Sequence, residues 1–171
     1  MIKAVGALMI ICGTAAWGFK SVTKMKNRVL TLRALIVSLD IMRDEICVNL
    51  TALPKVMEIL GKASPKPAGR FYKTVASRTC DIVNEGFFGI WMKSLDECLG
   101  QNLADEERDV LIRLGSGLGK YDFESQSRVI MTAKKNLERI ENTAENEKNA
   151  NSKLHAFLGV AAGLMAVVVL I

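Results

Sequence analysis

The stretch VTKMKNRVLTLRALIVSLDIMRDEIC, residues 22–47, carries apolar side chains at steps of three and four residues. This spacing places them on one face of an α-helix. Neither Gly nor Pro interrupts residues 19–53, so we expect one helix to run unbroken to about Cys47. An apolar stripe on a helix must be buried against other elements, so the stretch predicts a packed helical domain. The stripe consists of Val22, Met25, Val29, Leu32, Leu35, Leu39, Met42 and Ile46.

Helical periodicity continues along the chain, without β-alternation or an internal repeat. We predict that Thr51 caps a short second helix with Pro54 in its first turn, that Gly61 ends it, and that Gly86 separates a third helix from a fourth. The fold class is therefore all-α, a six-helix cytoplasmic bundle in which the first and last helices are long and antiparallel. The expected apolar positions are Leu53, Val56, Met57 and Leu60 in the second helix, Phe71, Val75, Ile82 and Val83 in the third, Ile90, Trp91, Leu95 and Leu99 in the fourth, and Phe123, Ile130, Ala133, Leu137, Ile140 and Ala144 in the last.

Both ends of the chain are apolar runs, because residues 4–19 and 156–171 contain no charged side chain. At about 1.5 Å per residue each run spans roughly 24 Å as a helix, and flanking lysines can reach the interface of a ~30 Å hydrocarbon core. We predict transmembrane helices at 1–19 and 156–171, with a cytoplasmic domain at 20–155 between them. Cations follow the first run and no acid precedes Asp40, so the positive-inside rule disfavours the alternative, a cleaved signal peptide. These cations are Lys20, Lys24, Lys26, Arg28 and Arg33.

The net charge of +5 is explained by the cations beside the first run, which would face anionic lipid. Nucleic-acid binding is the less favoured explanation, because no interleaved aromatic residues or known motif accompany the basic residues. The single histidine, His155, and four scattered cysteines offer neither metal-ligand spacing nor a Cys-His pair. We therefore expect no metal, no cofactor, no nucleic-acid partner and no enzymatic activity. The cysteines Cys12, Cys47, Cys80 and Cys98 are expected to be small buried thiols.

The segment LIRLGSGLGKYDFESQ, residues 111–126, resembles a phosphate-binding loop, because alternating glycines precede a lysine. The loop pattern needs glycine at position 114 and Ser or Thr at position 121, and this chain has leucine and tyrosine there. The stretch before the glycines also has helical periodicity rather than the pattern of a buried strand. We interpret Gly115, Gly119 and Asp122 as a structural helix junction, in which glycine closes one helix and Asp122 caps the next.

Charge is distributed unevenly over the predicted short helices. Residues 55–78 are predominantly basic and residues 96–109 predominantly acidic. Most such runs are solvated faces, and the alternative is a bipolar docking surface that orients a partner protein. The candidate partner-binding residues are Lys62, Lys66, Arg70, Lys73, Arg78, Asp96, Glu97, Asp105 and Glu106.

Three segments, in order, give the chain a family resemblance: DEICVNLTALP at 44–54, LGSGLGKYDFESQ at 114–126 and FLGVAAGLMAVVVLI at 157–171. With the N-terminal apolar run, they resemble the stage III sporulation protein AB family of endospore-forming bacteria. Ala52 departs from the pattern, since a proline is expected there. The markers are Thr51, Leu53, Pro54, Leu114, Gly115, Leu118, Gly119, Asp122 and Gln126.

The resemblance implies a role. Proteins of this family are similar to the cytoplasmic domains of inner-membrane platform proteins in type II secretion and type IV pilus systems. It implies a non-enzymatic platform subunit of the channel between mother cell and forespore, in the mother-cell membrane facing the forespore. Its expected partners are a companion cytoplasmic ATPase of the same operon, other membrane channel subunits and the lipid bilayer. The alternative is a membrane-tethered helical scaffold or signalling adaptor without an ATPase partner.

Overall fold

A computed structural model gives the three-dimensional structure of the chain. It describes the backbone of residues 2–79, 82–120 and 122–170, and the side chains of residues 23–79, 85–120 and 122–150. The described backbone forms six α-helices and no strand, which confirms the predicted all-α class. The helices are α1 (Ile2–Cys47), α2 (Leu53–Ala63), α3 (Ala68–Ser77), α4 (Ile82–Leu99), α5 (Asp105–Gly117) and α6 (Phe123–Leu170).

The chain divides into two units. Arg28–Asn142 form one compact unit, and the residues before and after it form the other. The predicted membrane runs at 1–19 and 156–171 belong to the second unit and lie outside the residues whose side chains are described. None of the helices in the described part of the chain contains a stretch long and apolar enough to cross a membrane. Every contact reported below lies within Arg28–Asn142.

In this unit, α1 and α6 pack antiparallel along their apolar stripes. Arg33 pairs with Glu141, with 2.7 Å between Nε and Oε1, and Asp40 pairs with Lys134 at 2.7 Å between Oδ1 and Nζ, so the pairing runs in opposite directions along the two helices. Lys134 bonds both oxygens of Asp40, which raises the pKa of its ammonium group. The α1 stripe from Val29 onward is buried as predicted, and each fully buried Leu or Met contributes about 1.5–3 kcal/mol relative to exposure. The buried stripe residues are Val29, Leu32, Leu35, Leu39, Met42 and Ile46 on α1, and Ile130, Ala133, Leu137 and Ile140 on α6.

The short helices pack in chain order, α2 on α3, α3 on α4 and α4 on α5. An aromatic cluster joins them to α1: the Phe71 and Trp91 rings meet edge to face with centroids 4.8 Å apart, and Tyr72 lies 4.9 Å from Phe71. The buried Tyr72 hydroxyl is hydrogen-bonded to Ser38 Oγ of α1 at 2.7 Å, and Ser38 in turn donates to the Leu35 carbonyl. Burial raises the pKa of Tyr72 far above its usual range, because ionisation would place a charge in the core.

Two predictions about α2 are wrong. Thr51 does not cap it, because its hydroxyl donates to Glu45 Oε2 at 2.8 Å and Ala52 occupies the cap position without a side-chain bond. Gly61 does not end it, because the helix continues to Ala63. Gly61 is buried there: a Cβ at this position would lie 2.7 Å from Lys73 Cγ on α3. The absence of a side chain at Gly61 lets α2 and α3 pack closely, and it does not terminate α2.

The boundary between α3 and α4 also differs from the prediction. The third helix ends at Ser77, before the predicted positions Ile82 and Val83, which belong to α4. The hydroxyls of Ser77 and Thr79 donate to the Thr74 and Ala76 carbonyls, at 2.9 and 2.6 Å, which satisfies the terminal acceptors. The predicted break at Gly86 occurs as a kink inside α4, with φ of 67° and ψ of 157°.

Phe123, Cys47 and Cys98 are less buried than predicted. The Phe123 side chain is 52% exposed, because it lies in the first turn of α6, opposite the end of α1, where the Cys47 thiol donates to the Phe123 carbonyl at 3.4 Å. Cys47 and Cys98 are half-buried free thiols, and Cys98 Sγ donates to Thr74 Oγ1 at 3.4 Å. The side chains of Cys12 and Cys80 lie outside the described residues.

Candidate functional site

Four of the candidate partner-binding residues form one basic face on α2 and α3. Lys62 lies in the last turn of α2, Lys66 in the connection, and Arg70 and Lys73 on α3, and all four are exposed. The close approach of α2 to α3 at Gly61 brings the segment bearing Lys73 beside the segment bearing Lys62. In the described part of the chain, no carboxylate comes within 4.0 Å of any of the four cationic groups. The nearest acidic influence is Glu58, one turn before Lys62, whose carboxyl pKa is lowered mainly by its bond to Lys55 and to a lesser extent by the charge of Lys62. The basic face therefore presents four exposed cations without a direct ion pair among the described residues.

The acidic candidates are in a different electrostatic state, because three of the four are paired within the molecule. Glu97 accepts from Arg78 Nη2 at 2.6 Å, which joins the acidic run to the last basic candidate. Asp96 pairs with Arg108 at 2.7 Å, and Glu106 pairs with Arg139 of α6. Asp105 is exposed in the first turn of α5. Among the candidates, the four residues of the basic face and Asp105 therefore have no ion pair within 4.0 Å in the described part of the chain.

A buried carboxylate, Glu107, lies next to this acidic run, and the sequence reading gave it no separate role. Its side chain is fully buried, and Oε1 accepts from Arg28 Nε of α1 at 2.6 Å. The other oxygen accepts the Ala104 backbone N–H at the start of α5. Glu at the third position of a helix, before an apolar run, is the signal that indicates this backward bond to the cap residue. The carboxylate thus joins α5 to α1 and closes the N-terminus of α5.

The glycine segment lies between two helices. The α5 helix ends at Gly117, Gly119 has φ of +75°, and the Gly119 N–H donates to Gln126 Oε1 at 3.2 Å. Asp122 accepts the Ser125 N–H at 2.9 Å, and this bond with that of the Ser125 hydroxyl lowers the pKa of its carboxyl group. A phosphate-binding loop follows a strand, whereas here Gly115 and Gly117 lie in the last turns of α5 and only Gly119 follows it.

Gly115 is required for the space beside it, whereas Gly119 is required for its backbone conformation. It lies inside α5, and a Cβ there would be 2.4 Å from Trp91 Cδ1 of α4. The indole N–H of Trp91 donates to the Leu111 carbonyl of α5 at 3.0 Å. Gly115 therefore makes room for a flat ring that bonds the neighbouring helix, and Gly119 supplies the turn.

No group of three or more His, Cys, Asp or Glu side chains able to hold a metal ion occurs among the described residues.

Comparison with known proteins identifies the family to which this helical chain belongs. The family model described as "Stage III sporulation protein AB" matches residues 3–171. The chain belongs to this family. Stage III sporulation protein AB of Bacillus subtilis (strain 168) is 28% identical over 171 residues, which cover 99% of each chain. A solved structure of stage III sporulation protein AB superposes with a TM-score of 0.65 at 25% identity, covering 72% of this chain and 98% of the other. The expectation from the sequence motifs is confirmed at the level of the family, and with it a role in sporulation.

Proposed function

We propose that this protein is a non-enzymatic membrane platform subunit of a secretion-like channel between mother cell and forespore during endospore formation. Its two apolar runs, 1–19 and 156–171, anchor it in the mother-cell membrane facing the forespore, with the domain between them in the cytoplasm. The domain couples a companion cytoplasmic ATPase to the channel components in the membrane.

The observation that carries this proposal is the basic face of Lys62, Lys66, Arg70 and Lys73 in a member of the sporulation family. Four exposed cations without a carboxylate within 4.0 Å in the described residues create a field that steers an acidic surface towards them. Internally paired charges, such as those of the acidic run, have little of this effect. The face therefore suits reversible docking of an oppositely charged protein.

A series of helix contacts connects the basic face to both long helices, α1 and α6. The short helices contact one another in chain order from α2 to α5. From α5, the buried Glu107 bonds Arg28 of α1, Gly117 approaches Val129 of α6 closely, and Glu106 forms an exposed pair with Arg139 of α6. Since packed interiors transmit strain, movement of a bound motor would reach α1 and α6 through these contacts.

The direct test is binding between the full-length chain, purified in detergent, and the companion ATPase encoded in the same operon. We expect a complex at low salt that dissociates as the salt concentration rises, because screening weakens a steered charge interface. Absence of a complex at low salt, with ATP, with ADP and without nucleotide, would contradict the platform function. A scaffold or adaptor without an ATPase partner would then be the better description.

A further inference from the structure

An open groove lies between α5 and α6, on elements distinct from the basic face of α2 and α3. Its volume is about 300 Å³. The floor is formed by buried Leu114 and Ala133 with half-buried Val110 and Val129. Exposed Thr132 and Asn136 of α6 supply a hydroxyl and an amide at its edge.

The two helices contact each other beyond the groove on both sides. At one end, Gly117 lets the helices meet: a Cβ there would lie 3.0 Å from Val129 Cγ1. At the other end, Glu106 of α5 pairs with Arg139 of α6. The segments between these two contacts leave room for a side chain that neither helix provides.

Two arginines line the groove and no acidic side chain does, as far as the described residues show. The guanidinium of Arg113 has no ion-pair partner within 4.0 Å among these residues. The guanidinium of Arg128 contacts Glu124 at 3.2 Å and donates to the Ser125 hydroxyl at 3.0 Å, but both partners are within one helical turn, and the Arg128 and Glu124 side chains are more than two-thirds exposed. Such exposed pairs contribute little and exchange readily for a better acceptor.

We propose that this groove binds an acidic amphipathic segment of a partner protein. An apolar side chain of the segment would occupy the floor, and a carboxylate would bridge Arg113 and Arg128. Guanidinium groups suit this because their fixed donor geometry binds carboxylates at two points. Thr132 and Asn136 can bond a peptide backbone, which favours a protein segment over a lipid headgroup. The inference does not rest on the proposed function, because neither the basic face nor the ATPase enters it.

The test measures fluorescence anisotropy of a labelled peptide in which leucines alternate with pairs of glutamates, titrated with the full-length chain in detergent. The same peptide with glutamine in place of glutamate is the ligand control. We expect the glutamate peptide to bind and the glutamine peptide to bind at least about tenfold more weakly, since charge pairing fixes the segment in place.

Variants locate the site. Arg113→Glu and Arg128→Glu should each weaken binding by about tenfold, because each brings a like charge to the bound carboxylate. Thr132→Trp should abolish binding by filling the groove from an exposed position, so the fold is preserved. Lys135→Glu is the matched control: it makes the same charge change on an exposed residue of α6 that does not line the groove, and binding should change by less than about twofold.

Three results would overturn the proposal. The glutamate peptide could fail to bind, Lys135→Glu could weaken binding as much as Arg113→Glu, or Thr132→Trp could leave binding unchanged. Short-chain phosphatidylglycerol that binds in an Arg113-dependent way where the peptide does not would assign the groove to lipid instead. Circular dichroism of each variant, compared with the parent chain, separates loss of the site from loss of the fold.

Discussion

Gly119 is the residue that reverses the chain between α5 and α6. Its φ of +75° is strained for any side chain with a Cβ, and most for β-branched side chains. A Cβ there would lie 3.4 Å from Leu53 Cδ2, an ordinary contact, so backbone strain and not crowding decides the cost.

Gly119→Val should therefore lower the free energy of unfolding by about 1–2 kcal/mol or more. Lys120→Ala, one residue further and exposed, should change it by less than about 0.5 kcal/mol. Denaturant unfolding of both variants measures the difference. Equal stability of Gly119→Val and the parent would show that the turn does not require positive φ. Loss of ATP binding on Lys120→Ala, from a parent that binds ATP, would restore the phosphate-loop interpretation.

The Arg28–Glu107 pair is unequal in exposure, and this predicts unequal effects of removing its members. The Glu107 side chain is fully buried, whereas 27% of the Arg28 side chain reaches solvent. Arg28→Met leaves a buried carboxylate without its cation and should cost about 3–5 kcal/mol. Glu107→Gln leaves an arginine that can turn towards water, and glutamine can still accept the Ala104 N–H, so we expect a loss of about 1–3 kcal/mol.

The measurement is denaturant unfolding of the two single variants. Exchanging Arg128 and Glu124, whose side chains are 68% and 82% exposed, is the control. It should cost no more than about 1 kcal/mol, chiefly because it places a cation in the first turn of α6. A cost for Arg28→Met no larger than that of the control would show that the buried pair adds nothing to joining α1 and α5.

At the scale of the elements, two glycines on the α4–α5 side of the bundle give opposite predictions for the same substitution. Gly115→Ala would place a methyl group 2.4 Å from the Trp91 ring, so one of the two helices must move, and we expect a loss of about 1–3 kcal/mol or more. Among the described residues, a Cβ at Gly89 of α4 would meet nothing closer than Glu85 Cβ at 3.6 Å, so Gly89→Ala should stabilise the helix by up to about 1 kcal/mol. Thermal unfolding of the two variants gives the sign of each change. A neutral Gly115→Ala would mean that Trp91 can withdraw without loss.

The elements that could be predicted are those whose signal is periodic. The α1 stripe is buried at each described position from Val29 to Ile46, because a period of 3.6 residues identifies the core face without knowledge of its partner. The end of α3 could not be predicted that way, since the hydroxyls of Ser77 and Thr79 end it with local bonds that leave no periodic trace. The roles of Gly115 and Glu107 depend on contacts distant in sequence; Arg28 and Glu107 are 79 positions apart. Charge alone indicates both the basic and the acidic candidates. Which of them form ion pairs depends on how the helices pack, and the sequence does not show this.

For the whole molecule, the basic face acts through its summed field. Each exposed pair across an interface contributes about 0–1 kcal/mol, so one substitution should be nearly silent. Reversing Lys62, Lys66, Arg70 and Lys73 together should slow association with the ATPase, and association should then become faster as the salt concentration rises, because the attraction has become a repulsion that salt screens. Association rates at several salt concentrations measure both effects.

A matched pair of triple variants separates the position of the charge from its total. Lys62→Glu/Lys66→Glu/Lys73→Glu changes the net charge by the same amount as Lys93→Glu/Lys120→Glu/Lys135→Glu, and all six lysines are exposed. Only the first should impair association. Equal effects would reduce the basic face to a contribution to net charge, and the docking surface would then have to be sought on the acidic run or along residues 141–153.

The proposed topology has its own test. A reporter fused after Ile171 should be active only on the non-cytoplasmic side, and a reporter fused near Gly100 only in the cytoplasm. The reason is the group of cations after the first apolar run, which opposes export of the segment that follows. The reverse pattern would contradict the orientation and place the domain between Arg28 and Asn142 outside the cytoplasm.

The antiparallel packing of α1 on α6 has a consequence for the way this protein is made. Arg33 and Glu141 are 108 positions apart, and the apolar stripes beside them meet over a similar separation. A chain leaving the ribosome presents α1 first, and α6, the helix that covers its stripe, emerges only after the short helices between them have been made. Until then Leu32, Leu35 and Leu39 have only the short helices to contact, so a chain arrested before α6 exposes apolar surface that chaperones and proteases recognise. Synthesis of α6 is thus the step that allows the α1 stripe to be buried and so protects the nascent chain from degradation.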